Sequence, residues 1–129
     1  MKVKDLMIKN VFTARRDTSI LEVFKALYTK HVGSLVIVDD EKKCIGIFTE
    51  RDAIRSVATE IPLDSPIESV MTKNVVTIKG DASLSEARRL MRNNNIRRLP
   101  VVDNEGRILG ICTIRGILDE LLEISRKTI

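Results

Sequence analysis

The spacing of apolar positions along this chain changes period, and it does so twice in the same order. Ile20, Val23, Phe24 and Leu27 fall at i, i+3, i+4 and i+7, one face of an amphipathic helix. Leu84, Ala87, Leu90 and Met91 nearly repeat that spacing. A helix start signal precedes each: Ser19 with Glu22, and Ser83 with Glu86, are spaced as capping boxes. Residues 35–38 and 99–102 are continuous apolar runs of strand length, as in strands buried on both faces. Charged turns at 39–43 and 103–107 lead into third strands, Cys44–Thr49 and Ile108–Thr113, which close hairpins. Short β-prone runs at 75–78 and 11–13 stand before the helices. A last helix follows each hairpin, over about 50–58 and 114–126.

The two halves are one repeat. Aligning Gly46 with Gly110 sets an offset of 64 that holds without a gap in both directions. Met7 then matches Met71, and Lys9-Asn10-Val11 matches Lys73-Asn74-Val75. Thr13, Asp17, Ser19 and Glu22 match Thr77, Asp81, Ser83 and Glu86. Further along, Val38-Asp39, Thr49 and Arg51 match Val102-Asp103, Thr113 and Arg115. Each copy reads β-α-β-β-α, a mixed α/β class. The helical crossover makes the first two strands parallel, and the short turn makes the last two antiparallel. The expected boundaries are a first repeat at 1–60, a linker at 61–66 marked by Pro62 and Pro66, and a second repeat with a C-terminal helix at 67–129. A lone unit of this size buries too little surface for comfortable stability, so the two are expected to pack together.

Composition narrows the function classes. With 43% apolar and 31% charged residues the chain is an ordinary globular sequence. It has no Trp and 3% aromatics, so stacking on nucleic-acid bases has little to work with. The net charge of +4 favours anionic partners in general, but it is spread along the chain as on a solvated surface. No apolar run approaches a membrane span, and the N-terminus lacks an apolar core of signal-peptide length. A cytoplasmic protein without membrane association is expected. Cys44 and Cys112 lie in expected strands and are not spaced as a metal pair, so both read as reduced core residues. A single histidine, His31, leaves neither a His-based metal site nor a Ser-His-Asp triad. No catalytic or metal-binding residue is assigned.

The candidate chemistry lies in GIFTERD, Gly46 to Asp52, at a strand–turn–helix junction. Thr49 and Asp52 sit three apart across the helix start. Two readings stand: the pair caps the helix, or it holds a ligand's polyol at the positive helix end. GICTIRG occupies the same place in the second copy.

Taken together, VMTKNVVTI (70–78), the helix after it, IRRLPVVD (96–103), GIFTERD and GICTIRG resemble a pair of CBS domains, or Bateman module. The resemblance runs from about residue 3 to 122, with no catalytic domain attached, as in a stand-alone CBS pair. It implies a regulatory module, not an enzyme. Such a module binds AMP, ADP, ATP, S-adenosylmethionine or a relative in a cleft between the repeats, and needs no other cofactor. Carried over residue by residue, the resemblance puts Asp52 on the ribose hydroxyls and Thr49 on ribose or phosphate. It puts Val75, Val76, Thr77, Leu99 and Pro100 against the adenine, and Arg97 and Arg98 on phosphate. Arg51 is a weaker candidate, and His31, aligned with Asn95, reads as a local C-cap. The second copy departs from the pattern. Gly116 stands where Asp52 does, and Gly33-Ser34 replaces Arg97-Arg98, so one tight nucleotide per chain is expected.

Apolar stripes on the last helices, and the same resemblance, point to a homodimer through Ile54, Ile117, Leu118 and Leu121. An unidentified regulated protein is a further expected partner. The alternatives are a nucleic-acid-binding accessory, motivated by Arg88-Arg89-x-x-Arg92, and a structural dimerisation module without a small ligand.

Overall fold

The computed structural model describes residues 1–128, with side chains through residue 123; Ile129, the end of the expected second repeat, lies outside the described residues. The chain forms two compact units. The first is Phe12–Val75; the second joins Met1–Val11 to the chain from Val76 onward. Their limits are cut differently from the sequence repeats, because each repeat's leading segment belongs to the other unit.

The first unit holds β1 (Thr13–Arg15), α2 (Ile20–Lys30), β2 (Ser34–Val38), β3 (Cys44–Thr49) and α3 (Glu50–Ala58), followed by a single 3₁₀ turn at Ile67–Ser69. The second holds α1 (Val3–Leu6), β4 (Ile78–Lys79), α4 (Leu84–Asn94), β5 (Arg98–Val102), β6 (Ile108–Thr113) and α5 (Ile114–Thr128). Each sheet has three strands in sequential order, with the first pair parallel and the second antiparallel, as the crossover and hairpin require. The mixed α/β repeat read from the sequence is the fold observed.

Each unit has its own apolar core. Ile20, Val23, Leu35, Ile37, Phe48, Ile67, Val70 and Met71 form the first. Val3, Ile78, Ala87, Met91, Leu99, Val101, Cys112 and Ile117 form the second. Both α2 and α4 start at a serine whose hydroxyl accepts the N–H three residues on, at 3.1 Å from Glu22 and from Glu86. Only this half of the expected capping box forms there. At α2 the linker does the rest: the Ile20 and Leu21 N–H groups donate to the Ser65 and Leu63 carbonyls at 2.9 and 3.0 Å. Both helices end on a left-handed residue, His31 at φ 53° and Asn95 at φ 52°, which fits the C-cap expected of His31.

The hairpin turns are also duplicated. One Asp39 carboxylate oxygen accepts the Glu41 and Lys43 N–H groups, and Asp103 does the same for Glu105 and Arg107, all at 2.9 Å. These bonds hold both carboxyls below their ordinary range, so the turns are anchored at neutral pH and lose that contribution as acid protonates them.

Ile117, expected at a subunit interface, is 1% exposed and packs into the second core. The stripe on α5 serves two faces: Ile117 turns inward, while Leu118, Leu121 and Leu122 remain exposed.

The leading segments dock through a short backbone ladder. Thr72 and Ile47 exchange hydrogen bonds at 2.9 and 3.1 Å, and Ile8 and Ile111 do so at 2.8 and 2.9 Å. Gly46 and Gly110 make room for this. A Cβ on Gly46 would strike the Met71 thioether; one on Gly110 would lie 2.8 Å from both the Ile8 carbonyl oxygen and Met7 Sδ. A flexible thioether can swing aside, but a ladder carbonyl cannot. Gly110→Ala should therefore lower the urea-unfolding free energy by about 1–3 kcal/mol, and Gly46→Ala by less. Equal costs would contradict this account of the docking.

Candidate functional site

The junction of β3 and α3 carries a cluster of interlocking polar side chains. Thr49 is the N-cap, in extended backbone at φ −114° and ψ 171°. Its hydroxyl oxygen accepts the Asp52 N–H at 3.4 Å, and Asp52 Oδ2 accepts the Thr49 N–H at 3.0 Å. This is a complete capping box, so the capping reading of the pair is realised.

Asp52 does more than cap. It is only 4% exposed, yet a carboxylate needs several donors when taken from water. Arg55, one turn on, places Nη2 at 3.0 Å from Oδ1 and donates to the Val70 carbonyl at 3.0 Å. Thr72 places its hydroxyl 3.2 Å from Oδ1 and 3.3 Å from Oδ2. Two donors thus tie the start of α3 to the docked segment at 70–72. The charge also sits in the first turn of a helix, where the macrodipole favours an anion.

The second unit repeats the backbone but not the chemistry. Thr113 accepts the Gly116 N–H at 3.0 Å, and no side chain at 116 can answer. Ile8 stands in the place of Thr72, and Asp119 in the place of Arg55. What this unit has instead is basic. Arg98 begins β5 directly across from Thr113, with exposed Arg97 before it. The carboxylate and the arginine pair expected to share a ligand are therefore contributed by different units.

Of the remaining expected site residues, Val75, Val76 and Thr77 are half-buried and lie ahead of β4, which starts three residues later than expected. β1 likewise starts two residues late, at Thr13, and two local features account for the further residue at β4. Asn74 turns the chain at φ 54°. In the first unit Val36 donates to the Phe12 carbonyl at 3.2 Å; its counterpart Pro100 has no N–H to give the Val76 carbonyl. That carbonyl is left without its ladder donor. Leu99 points into the second core, and Pro100, next along the strand, faces the other way and is also buried. Arg51 is exposed.

Sequence reasoning missed Thr72 and Arg55. The available signal was the repeat itself: Asp52 and Thr72 occur in one set of positions, Gly116 and Ile8 in the other. Both cysteines are free, and burial pushes each thiol up to about 11, which keeps them protonated at neutral pH. Among the described residues no group of three His, Cys, Asp or Glu is placed to hold a metal ion, and no helix is long and apolar enough to cross a membrane.

This duplicated β-α-β-β-α unit, with its glycine-docked leading segments, matches the model of the CBS domain at residues 3–59 and again at 67–123. The chain belongs to the CBS domain family and carries two copies. An uncharacterized 17.7 kDa protein of Acidianus ambivalens is 33% identical over 123 residues, covering 95% of this chain and 74% of its own length. Inosine-5'-monophosphate dehydrogenase of Methanocaldococcus jannaschii is 38% identical over 117 residues, but the match spans only 23% of that enzyme. Among solved structures, the CBS domain pair of protein MJ0100, in complex with 5'-methylthioadenosine and S-adenosyl-L-methionine, superposes with a TM-score of 0.86. It is 34% identical, and the match covers 94% of this chain and 95% of that one.

The asymmetry of the two helix starts has a direct consequence. Gly116 is not in left-handed backbone, but an added Cβ would be tight against Thr113 Oγ1 at 3.3 Å, with Leu6 Cδ1 at 3.7 Å. Gly116→Asp should therefore gain no stability in urea unfolding, since the new carboxylate would find Ile8 and Asp119 where Asp52 has Thr72 and Arg55. A gain of about 1 kcal/mol would contradict this reading.

Proposed function

We propose that this CBS pair is a regulatory sensor for an adenosine-containing small molecule of the AMP, ADP, ATP or S-adenosylmethionine type, with no catalysis of its own. The observation that carries the reading is the likeness to the MJ0100 pair, which was solved with two adenosine compounds and matches over nearly the whole of both chains. The residues suit such a ligand. Asp52 and Thr49 take the ribose hydroxyls, since a carboxylate accepts two bonds from a vicinal diol. Val75, Val76, Thr77 and Pro100 are assigned to the base, without Leu99, whose side chain is taken up by the second core, and the Val76 carbonyl, lacking its ladder donor, suits an exocyclic amine. Arg97 and Arg98 take phosphate where the ligand has one.

At about −0.3 kcal/mol per heavy atom, a ligand the size of AMP reaches about −7 kcal/mol, which is micromolar. Calorimetric titration should give one tight site per chain, because Gly116 and Gly33-Ser34 leave the alternative set without carboxylate or arginines. Asp52→Ala should weaken binding by about 10- to 150-fold. Two equivalent tight sites, or unchanged affinity in Asp52→Ala, would overturn the assignment.

The reading extends to assembly. Ile54 is 71% exposed on α3 and Leu118 is 50% exposed on α5, with Val57, Leu121 and Leu122 beside them. Isolated apolar residues need no explanation, but two helices that each present a stripe suit burial against a second copy. We infer a homodimer through these faces, without Ile117. Light scattering at micromolar concentration should return twice the chain mass, and Leu118→Asp with Leu121→Asp should return the single mass. A wild-type monomer, or a dimer indifferent to the double substitution, would defeat the inference.

A further inference from the structure

We propose that Thr72 is an internal competitor for the ligand's ribose: its hydroxyl occupies the edge of the Asp52 carboxylate that a vicinal diol needs, and must turn away for the sugar to bind. The inference rests on the reading that Asp52 takes the ribose hydroxyls. Three observations carry it.

The Thr72 hydroxyl is nearly equidistant from the two carboxylate oxygens, at 3.2 and 3.3 Å. A donor so placed stands in front of the carboxylate, where a diol would set one hydroxyl on each oxygen. A single O–H has one proton and serves one oxygen at a time, so this contact, like that of the Thr49 hydroxyl at 3.2 Å from Oδ2, is among the weaker ones the carboxylate makes. The Thr49 N–H and Arg55, each at 3.0 Å, are better partners.

Asp52 is 4% exposed, so a ligand reaches it only by displacing a neighbour. Thr49 donates from the backbone, its hydroxyl near Oδ2 is held in place by the cap bond from the Asp52 N–H, and Arg55 brings a charge and a second bond to Val70. Thr72 is the neighbour that can leave. Its backbone is fixed by the exchanged bonds with Ile47, while the residue as a whole is exposed, so a rotation about χ1 suffices.

The second unit shows that the fold does not need this hydroxyl. Ile8 makes the same ladder with Ile111, at 2.8 and 2.9 Å, without any side-chain hydroxyl, and there the carboxylate is absent as well. The hydroxyl accompanies the carboxylate, not the ladder.

A competitor lowers affinity and sharpens selection. A sugar that offers two hydroxyls replaces the lost contact and adds one; a sugar offering a single hydroxyl only exchanges like for like. The probe for the test is 5'-methylthioadenosine, which carries the diol and no phosphate. Its affinity is measured by calorimetry for wild type, Thr72→Val, Thr72→Ser, Asp52→Asn and the Thr72→Val/Asp52→Asn pair. Thr72→Val should bind about 3- to 10-fold more tightly than wild type, the scale of one ordinary hydrogen bond. Thr72→Ser, which keeps the hydroxyl, should return to wild-type affinity, and the gain should vanish in the Asp52→Asn background. Equal or weaker binding by Thr72→Val, with Asp52→Asn clearly impaired, overturns the competitor and leaves the ribose reading standing. Wild-type affinity in Asp52→Asn, or no binding by wild type, overturns the ribose reading and the competitor with it.

Discussion

Everything distinctive about this chain depends on a backbone docking against a strand at a residue with no side chain. Gly46 and Gly110 let an incoming segment come close enough for two main-chain bonds; a Cβ on Gly110 would strike the Ile8 carbonyl oxygen itself, and one on Gly46 would force the Met71 thioether aside. Through that contact each sequence repeat gives its first residues to the unit built from the other. Val3, Met7 and Ile8 enter the second unit, and Ile67, Val70, Met71 and Thr72 enter the first. Neither repeat's core is complete without the exchange, since Ile67, Val70 and Met71 are core residues of the first unit and Val3 of the second.

The same docking places chemistry. It brings Thr72 and the Val70 carbonyl to the start of α3, where Asp52 and Arg55 meet them. In the second unit the matching ladder pairs Ile8 with Ile111, Gly116 offers no carboxylate, and no comparable polar cluster forms among the described residues. Two copies of one scaffold have thus come to hold different side chains. One keeps a buried carboxylate at a helix N-terminus, and the other keeps two arginines and a strand in which Pro100 lacks an N–H. Burial of Asp52 is tolerable only because backbone, guanidinium and hydroxyl donors surround it.

Much of this was legible from residues alone. The helices declare themselves by period, the buried strands by continuous apolar runs, and the duplication by a gapless offset. What stayed hidden has physical reasons. Docking at 8 and 72 rests on one residue pair each, too short to leave any period. The further residue of delay at β4 follows from a donor that Pro100 lacks across the sheet, and from the left-handed turn at Asn74. The α5 stripe at i, i+1, i+4 and i+5 covers two faces, so Ile117 could not be told from Leu118 by spacing. At the site, Thr49 and Asp52 were visible as a local pair. Thr72 was not, because its contact reaches across 20 residues.

The account's central claim is that ribose recognition belongs to the Asp52 carboxylate. The most direct test is a crystal structure of the protein grown with an adenosine ligand. The account predicts the two ribose hydroxyls on the two Asp52 oxygens, with the Thr72 hydroxyl rotated out of hydrogen-bond reach and the Thr72–Ile47 ladder intact. A bound ligand whose ribose lies away from Asp52, with Thr72 still on the carboxylate, would contradict it.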